Sequence, residues 1–418
     1  MKRILVKGPA LTQSGYGEHT RFILRSLRSR PDLFDVYFLN IKWGETSWLW
    51  EDNEERQWMD FILGKTMQFI NNGGTFDISM QVTIPNEWEP LAPVNIGVTA
   101  GIESTKISPK WVEKSLIMDK IIVVSSHAKF GFDNTEYPAT NNQTGEEFQA
   151  KTTCPVEVVG YPVKDLEAAD IKLDLKYDFN FLTVGTWIIR KNLENTIKWF
   201  VEEFFDQEVG LVVKTSLAKN SVRDRIVTEL RLKELLKDYT DRKCQIYLLH
   251  GELSETEMTA LYQHEKIKSM VSLSHGEGFG LPLFEAAYNS LPIISPEWGG
   301  QCDFLCMPSK TKSGKFKVKP MFSTVSFDIK PIQEQAYWGG VLEKDSHWCY
   351  PIEWNYKKTL RDVNKNYGKH KSNAKKLQKW VLKEFEESIQ YQKICDLIYK
   401  PTQEEMEWNE TLGEIQMV

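Results

Sequence analysis

Ser274-His275-Gly276-Glu277-Gly278-Phe279-Gly280-Leu281-Pro282-Leu283-Phe284-Glu285-Ala286-Ala287 is the stretch whose reading decides the fold. It follows an apolar run, Ser269 to Ser274, that reads as a buried strand, and it opens a helix expected over Leu281 to Asn289. Glycines at 276, 278 and 280 let the backbone turn sharply and bring main-chain N–H groups against a ligand. Pro282 sits where an early helical residue needs no N–H partner. The helix start then offers unpaired donors and the positive end of a dipole, which together suit a diphosphate. Glu277 lies in the loop and Glu285 about a turn into the helix, with seven residues between them. One carboxylate can reach a sugar while the other reaches a ribose, because a carboxylate accepts well from two vicinal hydroxyls.

Outward from this stretch, strand-like runs alternate with helical ones. The first third has such runs at Arg3 to Lys7, Asp35 to Asn40, Phe76 to Met80, Val94 to Ala100 and Ile121 to Ser125, with Pro155 to Val159 after them. Most are apolar enough to be buried on both faces, which argues for a parallel α/β sheet. Phe132 to Thr153 is polar and reads as a mobile surface loop. After a polar joint near Lys164 to Tyr177 a second series begins with a strand at Phe179 to Gly185 and a helix at Asn192 to Phe205. It continues with the strand Gly210 to Thr215, the helix Arg223 to Tyr239 and the strand Gln245 to Leu249, and Ser254 to Glu257 then reads as a helix N-cap and first turn. Two α/β series in 418 residues mean two packed domains and a cleft, expected as 1–166 and 167–394.

Composition narrows the class. With 41% hydrophobic and 26% charged residues the chain is globular, and it has no apolar run of transmembrane length and no signal-peptide pattern after Met1-Lys2-Arg3, so a cytoplasmic location is expected. Six scattered cysteines suit a reducing compartment. Cys302 and Cys306 have the spacing of half a zinc site, but no second Cys/His pair accompanies them, and unpaired thiols without metal are the reading. The net charge of −6 gives no overall attraction to nucleic acid, although Lys357 to Lys383 holds ten Lys/Arg against the single acid Asp362, and the tail after Pro401 is acidic. That basic stretch is a solvated helix face or, if it faces the cleft, a contact for DNA or another polyanion.

The glycine-rich stretch, with the following Ser290-Leu291-Pro292-Ile293-Ile294, resembles the signature of the retaining family 4 glycosyltransferases of the GT-B fold. The resemblance implies two Rossmann-like parallel-sheet domains facing a cleft, with a C-terminal helix crossing back to the N-terminal domain and the tail from about 395 to 418 packing on it. It places Glu277 at the donor sugar, Gly278, Phe279, Gly280 and Leu281 at the sugar and diphosphate, and Glu285 at the ribose hydroxyls. Val184-Gly185-Thr186-Trp187-Ile188-Ile189-Arg190-Lys191-Asn192 resembles the second element, in which an Arg and a Lys grip the diphosphate. Lys191 matches the Lys. Thr186 stands where the Arg is common, leaving Arg190 or Lys214 to replace it. His250, after the Gln245 to Leu249 strand, borders the base in the family or is a structural histidine. Gly8 to Arg21 is similar to the loop that faces the diphosphate sugar and acceptor, with Gly15, Gly17 and His19 as candidates. Glu103, after Val98-Thr99-Ala100-Gly101-Ile102, falls where relatives place a His or Glu near the sugar, or is a capping acid before the helix Pro109 to Met118; His127 is an acceptor-side candidate or a helix-start residue. Trp354 and a helix from Asn373 to Tyr399 fit the crossing element.

The function so implied is retaining hexosyl transfer from a nucleoside diphosphate sugar, UDP-glucose ahead of GDP- or ADP-sugars, to a glycan or to a hydroxymethylated base in DNA. No cofactor is expected. With no Asp-x-Asp pair, metal independence is expected too: fixed N–H donors and Lys191 would stabilise the leaving diphosphate. The alternatives are a GT-B nucleotide-sugar epimerase and a non-catalytic nucleotide-sugar or glycan-binding protein.

Overall fold

The computed structural model describes residues 1–400 apart from 142 and 311–314, so the acidic tail after Pro401 lies outside the described residues. Along the chain run β1 (Lys2–Gly8), α1 (Gly15–Arg28), β2 (Phe34–Asn40), α2 (Glu54–Asn71), β3 (Ile78–Val82), β4 (Val94–Thr99), α3 (Pro109–Ser115), β5 (Lys120–Val123), α4 (Ser126–Asn134), β6 (Glu136–Thr140), β7 (Glu147–Lys151) and β8 (Val156–Val158). There follow β9 (Asn180–Val184), α5 (Leu193–Glu203), β10 (Gly210–Lys214), α6 (Val222–Leu236), β11 (Gln245–Leu249), α7 (Glu255–Gln263), β12 (Ile267–Val271), α8 (Leu281–Tyr288), β13 (Ile293–Pro296) and α9 (Cys302–Leu305). The remainder is β14 (Cys306–Lys310), β15 (Phe316–Pro320), β16 (Ser323–Val325), β17 (Phe327–Pro331), β18 (His347–Pro351), α10 (Glu353–Lys365), α11 (Tyr367–Glu384) and α12 (Glu387–Ile398).

Two six-stranded sheets result, ordered β2-β1-β3-β4-β5-β8 and β11-β10-β9-β12-β13-β16, and every pairing within them is parallel. Strands covered by helices on both faces are buried on both, and β3 is buried at all five positions, with its polar Ser79 and Gln81 donating to Asn95 Oδ1 and the Glu89 carbonyl. Serine begins most of the crossover helices: Ser14, Ser108, Ser125, Ser221 and Ser254 each accept a first-turn N–H, Ser254 in a reciprocal capping box with Glu257. Helices α5 and α8 differ. Their N-caps, Asn192 and Gly280, are left-handed at φ 51° and 94° and make no side-chain cap.

Two sequence expectations are corrected. Phe132 to Thr153 is not one loop: α4 runs to Asn134, and β6 and β7 then pair antiparallel. Asn141 Oδ1 accepts from the amides of Gln143 and Thr144, so the polar stretch supplies the turn of a hairpin. The helix expected from Asn373 to Tyr399 is two, broken at Phe385-Glu386, where Phe385 packs against Phe284 and its carbonyl accepts from the Val163 amide. Helix α12 then crosses back onto α1, with Tyr391 stacked near Phe22 and Cys395 Sγ donating to the Ser26 carbonyl.

The β17–β18 hairpin and its connecting segment hold the two halves together from one side. Thr105 N donates to the His347 carbonyl at 2.9 Å, Ser108 Oγ to the Gly340 carbonyl at 2.8 Å, and Val341 is buried in the same core cluster as Trp88 and Trp111.

Candidate functional site

From β9 the second sheet grows first through β10 and β11, and the chain then returns to place β12 on the opposite edge of β9. The loops leaving β9 and β12 therefore diverge, and a crevice opens at their carboxyl ends. The β9 loop carries Arg190 and Lys191, and the β12 loop carries Gly276 to Gly280. They are tied by the His275 amide on the Arg190 carbonyl at 2.8 Å and Asn192 Nδ2 on the Leu273 carbonyl at 3.1 Å.

Within that frame Lys191 Nζ lies 2.6 Å from Glu277 Oε1, and the Arg190 guanidinium lies 3.2 Å from Oε2 while donating to the Gly276 carbonyl at 2.7 Å. Its other nitrogen is 3.2 Å from Glu103 Oε1, on the β4 loop of the first half. The Glu277 side chain is only 7% exposed. Burial alone would raise its pKa, but Lys191 and Arg190 more than offset that and hold the carboxyl below its usual range. Burial and the adjacent Arg190 lower the Lys191 pKa, opposed by Glu277. A buried pair like this adds little net stability.

Close approach fixes the loop. A Cβ on Gly276 would stand 2.0 Å from the Glu103 carbonyl oxygen, and one on Gly278 2.5 Å from that of Ala100. Ser125 Oγ donates to the Gly278 carbonyl at 2.6 Å, and the Gly300 amide to the Glu277 carbonyl at 2.8 Å. The site is thus assembled only with the two halves together.

Glu285 is half-buried one turn into α8 and accepts from Tyr262 of α7 at 2.7 Å. Burial pushes its pKa up to about 7, with the Tyr262 hydrogen bond opposing. The folded state then holds a proton more tightly than the unfolded one, so the associated stability is present below pH ~4.5 and is lost as pH rises toward 7. A hydroxylated ligand accepted by the ionised form follows the opposite trend. We predict that nucleoside diphosphate affinity rises about three- to tenfold between pH 6 and 8, and that Glu285→Gln flattens this rise while stabilising the protein against heat at pH 8; titration calorimetry and thermal unfolding check both.

The other expected residues take varied places. Lys214 Nζ donates to the Gly251 carbonyl at 2.6 Å, and burial lowers its pKa. His250 spends its ring on Asp224, at 2.8 Å, leaving the open Gly251 beside it. Phe279 turns its ring away from the crevice into a cluster with Tyr161, Phe284 and Phe304, so only its backbone faces the loop. Leu281 is the first residue of α8. Gly15 has open space beside it, whereas Gly17 lies against the Thr12 carbonyl. His19 is 1% exposed between Phe22 and Tyr161, neither ring nitrogen has a hydrogen-bond partner, and burial drops its pKa to about 3. His127 meets Trp298 edge-on at 4.8 Å, and burial lowers its pKa to about 4. Sequence reasoning missed Tyr16, whose hydroxyl bonds Thr99 at 2.7 Å, and the Ser125 latch; Gly299-Gly300 after β13 was the available signal for the Glu277 backbone contact.

The first part of the basic stretch is turned away from the crevice. Lys357 pairs with Glu202 and Glu353, Arg361 with Glu203, and α11 lies against the far end of α8, where Gln378 reaches the Tyr288 carbonyl and Lys371 that of Ser290. Among the described residues no three His, Cys, Asp or Glu side chains converge as a metal site, and no helix is long and apolar enough to cross a membrane.

No family model and no curated protein sequence matches the chain. Solved structures do. Sucrose-phosphate synthase from Thermosynechococcus elongatus superposes with a TM-score of 0.60 at 11% identity, over 95% of this chain and 98% of that one. HepE of Anabaena, crystallised with UDP and glucose, gives 0.59 at 11% identity over 95% and 99%. The lipopolysaccharide outer core galactosyltransferase WaaB gives 0.53 at 12% identity over 95% and 99%. The likeness is one of fold: two Rossmann-like sheets in the GT-B arrangement of these glycosyltransferases.

Proposed function

We propose that this chain is a retaining glycosyltransferase, akin to family 4, that moves a hexosyl group from a nucleoside diphosphate sugar to a hydroxyl of a glycan acceptor. UDP-glucose is the favoured donor, since HepE, of the same fold, was crystallised with UDP and glucose. Residues 1–166 would serve the acceptor and 167–394 the donor, in the cytoplasm. The observation that carries the reading is a buried carboxylate, Glu277, held between Lys191 and Arg190 at the strand-order reversal, beside a helix start without a side-chain cap.

In this reading the incoming diphosphate takes Lys191 and Arg190 over from Glu277, which is thereby freed to accept from the sugar hydroxyls. Negative charge grows on the leaving diphosphate as the glycosyl bond breaks, and preorganised cations and amides stabilise it more than they stabilise the ground state. The departing phosphate oxygen, on the face the acceptor approaches, takes the acceptor proton, and Glu103 orients that hydroxyl. Nothing in this sequence of steps calls on a metal, so turnover in EDTA is expected. A glycan is favoured over a DNA acceptor, because Lys357, Arg361 and Lys371 of the basic stretch are engaged at the end of the second half away from the crevice.

The test is a donor panel with glycan acceptors, read as nucleotide released and product mass and anomer. Release of UDP from UDP-glucose with an α-linked product is expected, and Glu277→Ala should lower kcat about 100-fold. No nucleotide release from any UDP-, GDP- or ADP-sugar, or a wild-type rate in Glu277→Ala, would overturn the proposal.

A further inference from the structure

The nucleoside end of the proposed donor site has a second wall that no part of the reading above uses. Neighbouring strands lie ~4.8 Å apart, so the carboxyl ends from β12 through β9 and β10 to β11 span about 14 Å. A nucleoside diphosphate sugar held at Lys191 with its sugar over Glu277 points its base toward β10 and β11. There Gly251, at φ 114°, has open space beside it, and Glu252 follows.

Facing Gly251 and Glu252 from the first half is the 41–52 segment. Its backbone is fixed: Gln13 N donates to the Ser47 carbonyl at 2.8 Å, Leu49 N to that of Leu11 at 2.9 Å, and the Trp43 ring packs at a tilt against Tyr16, centroids 4.4 Å apart. Its indoles are not buried. Trp48 is 52% exposed and Trp50 74%, although Trp50 Nε1 donates across the cleft to Glu252 Oε2 at 3.2 Å. One edge of the Trp50 ring is thus anchored to the second half while its faces stay in water. An anchored, solvent-facing indole at the end of an elongated cleft suits a flat heterocycle. Carboxylates at Glu51 and Asp52 next to it disfavour an anionic occupant.

We propose that Trp50 is the platform on which the donor's nucleobase stacks, so that the first half grips the base while the second grips the diphosphate. This rests on the donor-site reading above. Calorimetric dissociation constants for UDP and for inorganic pyrophosphate, which lacks the base, test it on the full chain. Trp50→Ala should weaken UDP about tenfold or more, Trp50→Phe should stay within about threefold of wild type, and pyrophosphate should change less than about twofold in both. Retained pyrophosphate binding also shows that the variants are folded. Wild-type UDP affinity in Trp50→Ala, or equal losses of UDP and pyrophosphate, overturns the platform and leaves the donor site standing. A wild-type chain that binds none of UDP, GDP or ADP overturns both.

Discussion

Lys191→Met should lower kcat about 100- to 1,000-fold, the loss expected when one preorganised charge is removed from a leaving group. Methionine keeps the length of the stem, so the change isolates the ammonium. The free protein feels the loss too, because Glu277 is 7% exposed and its 2.6 Å partner disappears. An uncompensated buried carboxylate costs about 3–5 kcal/mol, reduced here by the Arg190 contact that remains. The double variant Lys191→Met/Glu277→Gln separates the two effects. It should regain most of the thermal stability and none of the turnover, read by melting and single-turnover rates side by side. Normal turnover in Lys191→Met would mean that the phosphates are gripped elsewhere.

The parts of the fold legible in the sequence are those whose physics is local. Strands buried on both faces show as apolar runs, and serine caps mark the helices between them; β11 and the start of α8 fall where the pattern puts them. Pairing over distance was not legible. Strands β15 and β17 are rich in lysine, end on proline, are exposed along most of their length, and are held by their antiparallel partners β14 and β18 rather than by their own hydrophobicity. The break in the last helix carries no glycine or proline, and it follows from Phe385 seating against Phe284 in the core. At the site, the loops bearing Lys191 and Glu277 were marked by their motifs. That these two side chains neutralise one another across 86 positions, and that Arg190 continues the chain of charges to Glu103, needed the β9–β12 adjacency.

That dependence on the halves meeting gives the second large effect. Gly276→Ala should reduce kcat/KM about 100-fold or more while leaving each half folded. The added Cβ would stand 2.0 Å from the Glu103 carbonyl oxygen, a main-chain atom that no side-chain rotation can move. Relief requires the halves to part by an ångström or more, and a misplacement of that size is enough to cost two orders of magnitude in rate. Parting also lengthens the 3.2 Å contact between Arg190 and Glu103 and the 2.6 Å latch from Ser125 to Gly278. Ser125→Ala removes the latch without adding bulk. If closure is what Gly276 permits, Ser125→Ala should show a milder loss, about three- to tenfold, in the same direction. Pyrophosphate binding through the second half should survive in both variants. A Gly276→Ala enzyme with an unchanged kcat/KM would show that turnover proceeds with the two halves apart, and would remove Glu103 from the reacting centre.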